Sequence, residues 1–91
     1  MRTYIVICKD KKNSLKKRLE NRKMHLDHLK KINKQVLLAG PMMNKNQSPK
    51  GSVLILNFEN KEKLKKFLKA DPYVKAGLFE EITIENFKRV L

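Results

Sequence analysis

Cysteine, tryptophan and histidine are scarce in this chain of 91 residues, which contains one, none and two of them respectively. A single cysteine excludes an internal disulfide and any zinc site built from several cysteines. No apolar run approaches the roughly 18 residues that a membrane-spanning helix needs. The apolar stretch near the N-terminus is too short for a secretory signal, and no small-residue cleavage site follows it. We therefore expect a cytoplasmic protein without a membrane partner.

Motifs that hold metals or nucleotides are also missing. The chain has no HExxH motif, no GxGxxG loop and no cluster of carboxylates. Gly51-Ser52 lacks the pattern of a phosphate-binding loop or a nucleophile elbow. Cys8 alternates with Tyr4 and Val6, as a small buried apolar residue in a strand would. The sequence thus predicts no metal and no cofactor.

Acidic residues are few: nine Asp and Glu oppose 22 Lys and Arg, for a net charge of +13 at pH 7. Such a charge is typical of proteins that bind nucleic acid. However, 18 of the cations are Lys and only four are Arg, whereas phosphate-binding sites favour the planar, bidentate guanidinium of Arg. The charge therefore favours a solvated basic surface. A basic nucleic-acid-binding protein is the minor alternative, and we expect no specific nucleic-acid partner.

Hydrophobic periodicity divides the chain into strands and helices. Short runs rich in β-branched and aromatic residues predict four strands, and apolar residues spaced three, four and seven apart predict two helices. A loop with two prolines and a glycine separates the second and third strands. The predicted strands are residues 3–9, 36–40, 52–58 and 78–84, the helices 14–34 and 61–70, and the loop 41–51. The first helix has its apolar stripe at Leu15, Leu19, Leu26, Leu29 and Ile32.

The order β-α-β-β-α-β predicts a ferredoxin-like α+β fold, in a single domain over residues 1–91. In this fold, two helices pack on one face of a four-stranded antiparallel sheet. The first and third strands are apolar at nearly every position, so both faces of the sheet need cover. No further segment is left to cover the second face. We therefore expect a homodimer in which the two sheets pack face to face.

Both histidines lie on the first predicted helix, whose apolar stripe is centred near Leu15. At about 100° per residue, His25 lies about 80° from that centre, at the edge of the buried face, and His28 lies about 140° away, toward water. Arg22 lies about 20° from the centre, where a charged side chain needs a partner or a solvated pocket. Arg22 and His25 are three residues apart and are therefore neighbours. The pattern alone also fits a boundary histidine without a role.

Asp71 precedes Pro72, which is the pattern of a helix N-cap followed by proline at the first helical position. One interpretation is that Asp71 only caps a short turn over residues 72–75. The other is that Asp71 orients His25 and forms a general acid–base pair with it. The sequence pattern leaves both open.

Five motifs follow one another along the chain: Ser14-Leu15-x-x-Arg18-Leu19-x-x-Arg22-x-x-His25-Leu26-x-x-Leu29, Leu38-Ala39-Gly40-Pro41, Gly51-Ser52, Ala70-Asp71-Pro72-Tyr73-Val74-x-Ala76-Gly77 and Phe87-Lys88-x-Val90. Together they resemble the YciI-like (YCII-related) protein family over almost the whole chain. The resemblance implies a ferredoxin-like fold that assembles through its sheets into a dimeric α/β barrel-like structure.

The resemblance also implies a catalytic centre built on His25 and Asp71, with Arg22, Ser52 and Tyr73 as substrate-binding neighbours. Wider relatives of similar fold act on small ring compounds as isomerases, lyases or dehydrochlorinases. A His–Asp pair suits such chemistry because a proton is taken from carbon. We therefore expect a small enzyme that acts on a small, anionic or ring-containing metabolite. The alternative is a module that binds such a metabolite without turning it over.

Overall fold

The computed structural model describes all 91 residues of the chain. The order of the main elements is β-α-β-β-α-β, as predicted, with one extra single-turn helix before the last strand. A short 3-10 turn at Asn33–Gln35 leads from the first helix into the second strand. The elements are β1 (Arg2–Asp10), α1 (Leu15–Lys30), β2 (Val36–Met43), β3 (Pro49–Phe58), α2 (Lys61–Lys69), α3 (Pro72–Lys75) and β4 (Phe79–Asn86).

The four strands form one antiparallel sheet in the order β2-β3-β1-β4. The most apolar strands, β1 and β3, lie at its centre and pair along nearly their whole length, from Arg2↔Phe58 to Lys9↔Gly51. Antiparallel pairing places directly opposed residues on the same face of a sheet. The predicted ferredoxin-like α+β fold is confirmed.

One face of the sheet carries the core. Alternate residues of β1 and β3 point toward the helices, and both α1 and α2 contribute leucines to the same cluster. The helix that follows Asn60 begins there because the Asn60 side chain accepts a hydrogen bond from the Lys63 N–H. The core comprises Tyr4, Val6, Cys8, Leu29, Leu54, Leu56, Phe58, Leu64 and Leu68.

The opposite face of the sheet is apolar but uncovered. Ile5 and Ile7 of β1 pair with Ile55 and Val53 of β3, and all four side chains are half-buried. Leu38 of β2 pairs with Ile55 on the same face and is 51% exposed. This face explains why the central strands are apolar at almost every position. None of the helices is long and apolar enough to span a membrane.

The predicted buried stripe of α1 is confirmed at Leu29 and wrong at Leu15 and Leu19. Leu15 and Leu19 are 44% and 58% exposed, whereas Arg18, His25 and Leu29 are buried. These three buried residues lie within about 40° of one another on the helix, in a face rotated about 60° from Leu15. The spacing of the leucines predicted the wrong centre for the buried face of α1, because two of the residues on that face, Arg18 and His25, are polar. The helix also ends at Lys30, before the predicted residue 34.

The predicted loop at residues 41–51 is mostly strand. β2 continues through Pro41 to Met43, and β3 begins at Pro49, so only residues 44–48 form the turn. Pro41 fits because β2 is an edge strand, where a residue without an N–H breaks no ladder bond on the open side. Asn44 closes the turn by donating its N–H to the Ser48 carbonyl at 2.8 Å.

Replacing Leu64 with alanine tests the shared core. Leu64 is fully buried between α2 and the sheet, so Leu64→Ala is expected to lower the free energy of unfolding by about 2–5 kcal/mol. Leu15→Ala is the matched control, since it makes the same change at an exposed position of α1 and is expected to cost less than about 1 kcal/mol. Urea unfolding followed by circular dichroism measures both. Equal losses for the two variants would contradict this core.

Candidate functional site

A cavity of about 180 Å³ opens between α1, the β2–β3 hairpin and α3. Its rim and floor combine apolar groups with a few polar side chains, as small-molecule sites do. Four of the five predicted site residues line this cavity, and the fifth, Asp71, lies directly behind His25. The polar lining residues are Arg18, Arg22, His25, Ser52 and Tyr73.

His25 and Asp71 are in direct contact. The Nδ1 atom of His25 lies 2.9 Å from each carboxylate oxygen of Asp71, and the two side chains are 7% and 2% exposed. A carboxylate can only accept, so Nδ1 carries the hydrogen and donates it. In the neutral ring, Nε2 then has a free lone pair, and it has no partner within the chain. This leaves a basic atom at the cavity.

Asp71 is also the N-cap of α3. Its Oδ1 atom accepts the N–H of Tyr73 at 2.9 Å, and Pro72 occupies the first helical position. The two interpretations of Asp71 from sequence are therefore compatible, because one carboxylate caps α3 and pairs with His25 at the same time. Two donors on a buried carboxylate replace the water that it has lost.

Tyr73 holds the other side of the histidine. Its ring stacks on the His25 ring with centroids 3.9 Å apart and planes 14° from parallel. Burial raises the pKa of the Tyr73 hydroxyl, and the neighbouring Arg18 charge only partly offsets that effect. The phenol therefore stays protonated. Between them, Asp71 and Tyr73 fix the plane and the hydrogen position of the His25 ring.

Arg18 is the polar residue that sequence reasoning missed. It is 4% exposed and forms two hydrogen bonds with Asp10, from Nε at 2.7 Å and Nη2 at 2.9 Å, and a third from Nη2 to Ser52 Oγ at 2.8 Å. Burial by itself would lower the pKa of Arg18, but the hydrogen bond and charge of Asp10 outweigh it and the pKa is raised. The signal in the sequence was its spacing of seven residues from His25, which places both on one helix face.

Arg22 takes a different place from the predicted one. It was expected inside the buried stripe, but its side chain is exposed and lies at the rim of the cavity. It forms no hydrogen bond or ion pair within the chain, in contrast to Arg18 one turn earlier. The buried arginine on this helix is thus Arg18, and Arg22 is the cation that a ligand can reach.

The prediction that His28 points toward water is wrong. It is half-buried, stacks on Phe67 with centroids 4.1 Å apart, and its Nε2 atom lies 2.9 Å from the Phe67 carbonyl oxygen. A carbonyl accepts, so Nε2 donates. His28 therefore joins α1 to α2, on a different side of the helix from the cavity.

Cys8 lies beside Ser52 in the sheet and is 2% exposed. Burial, followed by the negative charge of Asp71, raises the pKa of its thiol to about 12. The thiol is therefore a packing group rather than a nucleophile. Elsewhere, no three His, Cys, Asp or Glu side chains come together as metal ligands would.

Comparison with known proteins decides the family. Residues 2–88 match the YCII-related domain. The chain belongs to the YCII-related family. Protein YciI of Escherichia coli is 36% identical to it, in an alignment that covers 96% of this chain and 97% of that protein. The resemblance read from the motifs is thereby confirmed.

Two solved structures are similar to this chain to different degrees. The 5-chloro-2-hydroxyhydroquinone dehydrochlorinase of Burkholderia phenoliruptrix, solved with 2,5-dihydroxybenzoquinone, is 28% identical, with a TM-score of 0.93 over 97% of this chain and 95% of that one. An antibiotic biosynthesis monooxygenase is 11% identical, with a TM-score of 0.60 over the full length of both chains. The second likeness concerns the fold alone.

The two histidines are expected to hold opposite tautomers. In the neutral rings, His25 has its hydrogen on Nδ1, facing Asp71, and His28 has it on Nε2, facing the Phe67 carbonyl. Nitrogen-15 NMR correlation spectra of the imidazole rings distinguish the two forms. Asp71→Asn is expected to shift His25 toward the Nε2–H form, because an amide N–H can donate to Nδ1, and to leave His28 unchanged. If His25 were Nε2–H in the unaltered protein, the proposed orientation of its ring would be wrong.

Proposed function

We propose that the protein is a small enzyme in which His25 transfers a proton to and from carbon on a small oxygenated ring compound, with Asp71 orienting the base. The observation that carries the proposal is the free Nε2 lone pair of a buried histidine that lines a cavity while its Nδ1–H is bound to a carboxylate. A base held in one tautomer by a carboxylate is the arrangement that general acid–base catalysis uses.

Asp71 stabilises the protonated ring that forms during the reaction. When His25 accepts a proton at Nε2, it becomes a cation at a site where water is scarce. The adjacent carboxylate offsets that charge, and its bond to the Tyr73 N–H keeps it in place. Positioning of this kind, together with proton transfer, contributes rate factors of about 10²–10⁴.

The cavity lining favours a small substrate with apolar and anionic parts. Apolar walls are provided by Leu26, Leu29 and Leu54. We expect the unpaired guanidinium of Arg22 at the rim to bind an ionised oxygen, with Tyr73 and Ser52 as further binding groups, because all three residues line the cavity. The dehydrochlorinase, at 28% identity and a TM-score of 0.93, was solved with a dihydroxybenzoquinone. Hydroxylated quinones and hydroquinones are therefore the substrate class that we propose.

His25→Ala is expected to lower turnover by at least about 100-fold, because no other base lies at the cavity. The first compound to test is 5-chloro-2-hydroxyhydroquinone, with chloride release and ring absorbance as readouts. His28→Ala is the matched control, since this histidine is on the same helix but away from the cavity, and it is expected to retain turnover.

Retention of turnover in His25→Ala would refute the assignment of the base. If the unaltered protein binds hydroxylated quinones but converts none of them, the alternative of a binding module without catalysis is favoured instead. Thermal stabilisation by the compound, without product, is the signature of that alternative.

We further propose that the protein is a cytoplasmic homodimer, each copy contributing one domain of residues 1–91, with the uncovered sheet faces packed together. The support is the apolar face formed by Ile5, Ile7, Val53 and Ile55, which is opposite to the helices. Contiguous apolar surface of this kind marks interaction sites.

Light scattering at micromolar concentration is expected to give twice the 10.7 kDa mass of the chain. Ile5→Lys, which places a charge at the centre of the uncovered face, is expected to give the single-chain mass. Lys17→Glu, on the exposed surface of α1, is the control that keeps the double mass. A single-chain mass for the unaltered protein would overturn the dimer.

A further inference from the structure

The hydroxyl of Ser52 has an unusual set of partners. Its oxygen accepts a hydrogen bond from Arg18 Nη2 at 2.8 Å, and this is the only hydrogen bond that the side chain makes. Ser52 is 3% exposed and lines the cavity. A hydroxyl has one hydrogen to donate as well as lone pairs to accept with. The hydrogen of Ser52 has no acceptor within the chain, so it is available to a molecule in the cavity.

Arg18 holds that hydroxyl in place. Two bonds to Asp10 fix the guanidinium plane, which lies over the Tyr73 ring with Cζ 4.8 Å from its centroid. A planar guanidinium directs its N–H groups rigidly, so the bond from Nη2 holds the Ser52 hydroxyl in one orientation. Donation from a cation also withdraws electron density from the oxygen and makes its O–H a stronger donor.

Arg18 itself is not free to bind a substrate carboxylate in the usual forked manner. Its Nε–Nη2 edge is taken up by Asp10, which also cancels its charge. Only the Nη1 amino group has no partner within the chain, and its outer N–H runs parallel to the Nη2–H that binds Ser52. An oxygen beside Ser52 Oγ is thus offered one O–H and one N–H. Such paired donors stabilise an oxyanion.

We propose that the Ser52 hydroxyl, held and polarised by Arg18, binds the substrate oxygen that becomes negative when His25 removes a proton from the neighbouring carbon. This assignment rests on the proposed function and narrows its substrate class to a carbonyl compound with an acidic C–H next to the carbonyl, such as the keto form of a hydroxylated hydroquinone. Ser52 is then a catalytic residue, because it touches the reacting oxygen, and Arg18 and Asp10 are positioning residues.

The reaction step at His25 is a proton transfer. His25 Nε2 takes the proton, the C–H bonding pair becomes the second bond between the two carbons, and the carbonyl π pair moves to oxygen as the enolate. The Ser52 O–H donates to that oxygen without losing its hydrogen. Return of the proton from Nε2 to another carbon of the same system completes an isomerisation and restores the base.

Binding of 2,5-dihydroxybenzoquinone, whose ring oxygens are enolate-like when ionised, tests the assignment. Titration followed by visible absorbance compares Ser52→Thr with Ser52→Val. The two new side chains have nearly the same shape, but threonine has a hydroxyl where valine has a methyl group. Ser52→Val is expected to bind at least about tenfold more weakly than Ser52→Thr, since a hydrogen bond to a charged group is lost. Ser52→Ala is expected to show a similar loss relative to the unaltered protein.

One control variant and one variant of Arg18 test whether Arg18 acts by positioning the Ser52 hydroxyl. Ser14→Ala removes a hydroxyl outside the cavity and is expected to leave the affinity unchanged. Arg18→Lys keeps the charge but loses the fork, and is expected to weaken binding by a similar factor to Ser52→Ala. Combined with Ser52→Ala, it is expected to add little further loss, because both changes remove the same interaction. Thermal unfolding confirms that each variant is folded.

The outcomes distinguish this assignment from the function on which it rests. Equal affinities and equal turnover for Ser52→Thr and Ser52→Val, with turnover lost in His25→Ala, would overturn the role of Ser52 and leave the proposed base intact. Additive losses for Arg18→Lys and Ser52→Ala would overturn the positioning role of Arg18. An unaltered protein that neither binds nor converts hydroxylated quinones would refute the proposed function, and the Ser52 assignment with it.

Discussion

The buried carboxylate of Asp71 is the constraint on which the rest of the site depends. An unpaired carboxylate out of water costs several kcal/mol, so its oxygens need donors. The chain supplies two: the Tyr73 N–H at the start of α3 and the Nδ1–H of His25 on α1. Because the Asp71 carboxylate caps α3 and also binds the His25 ring on α1, it fixes the positions of these two helices relative to each other. In this arrangement the Tyr73 ring stacks on the His25 ring.

Two buried polar pairs lie beside the cavity, on a side of α1 that could otherwise be apolar core. The inner face of α1 carries Arg18 and His25 in place of two apolar residues, and each is held by a carboxylate from another element, Asp10 or Asp71. Replacing such buried pairs with apolar residues is often neutral or stabilising. Their presence supports the proposal that they serve the site, while Leu64 and Leu68 of α2 pack the core against the sheet.

The central strands β1 and β3 have a different role on each face of the sheet. The residues of β1 and β3 that face the helices pack the core and place Ser52 beneath the cavity. The alternate residues, such as Ile5 and Ile55, make the uncovered face. One strand thus serves stability and the site on one side and offers an apolar surface on the other, as the two-residue period of a strand allows.

The sequence by itself determined the order of the elements, the alternating strand faces, the caps at Asn60 and Asp71, and the family, because these depend on local spacing and turn chemistry. The resemblance carried by five motifs also predicted which residues would form the site. Only the tertiary structure decided which face of α1 is buried, since Leu15 and Leu19 satisfy helical periodicity as well as the true face does. It alone revealed Arg18, whose partners Asp10 and Ser52 are 8 and 34 residues away. A buried charge is explained by partners distant in the chain, and local pattern carries no information about them.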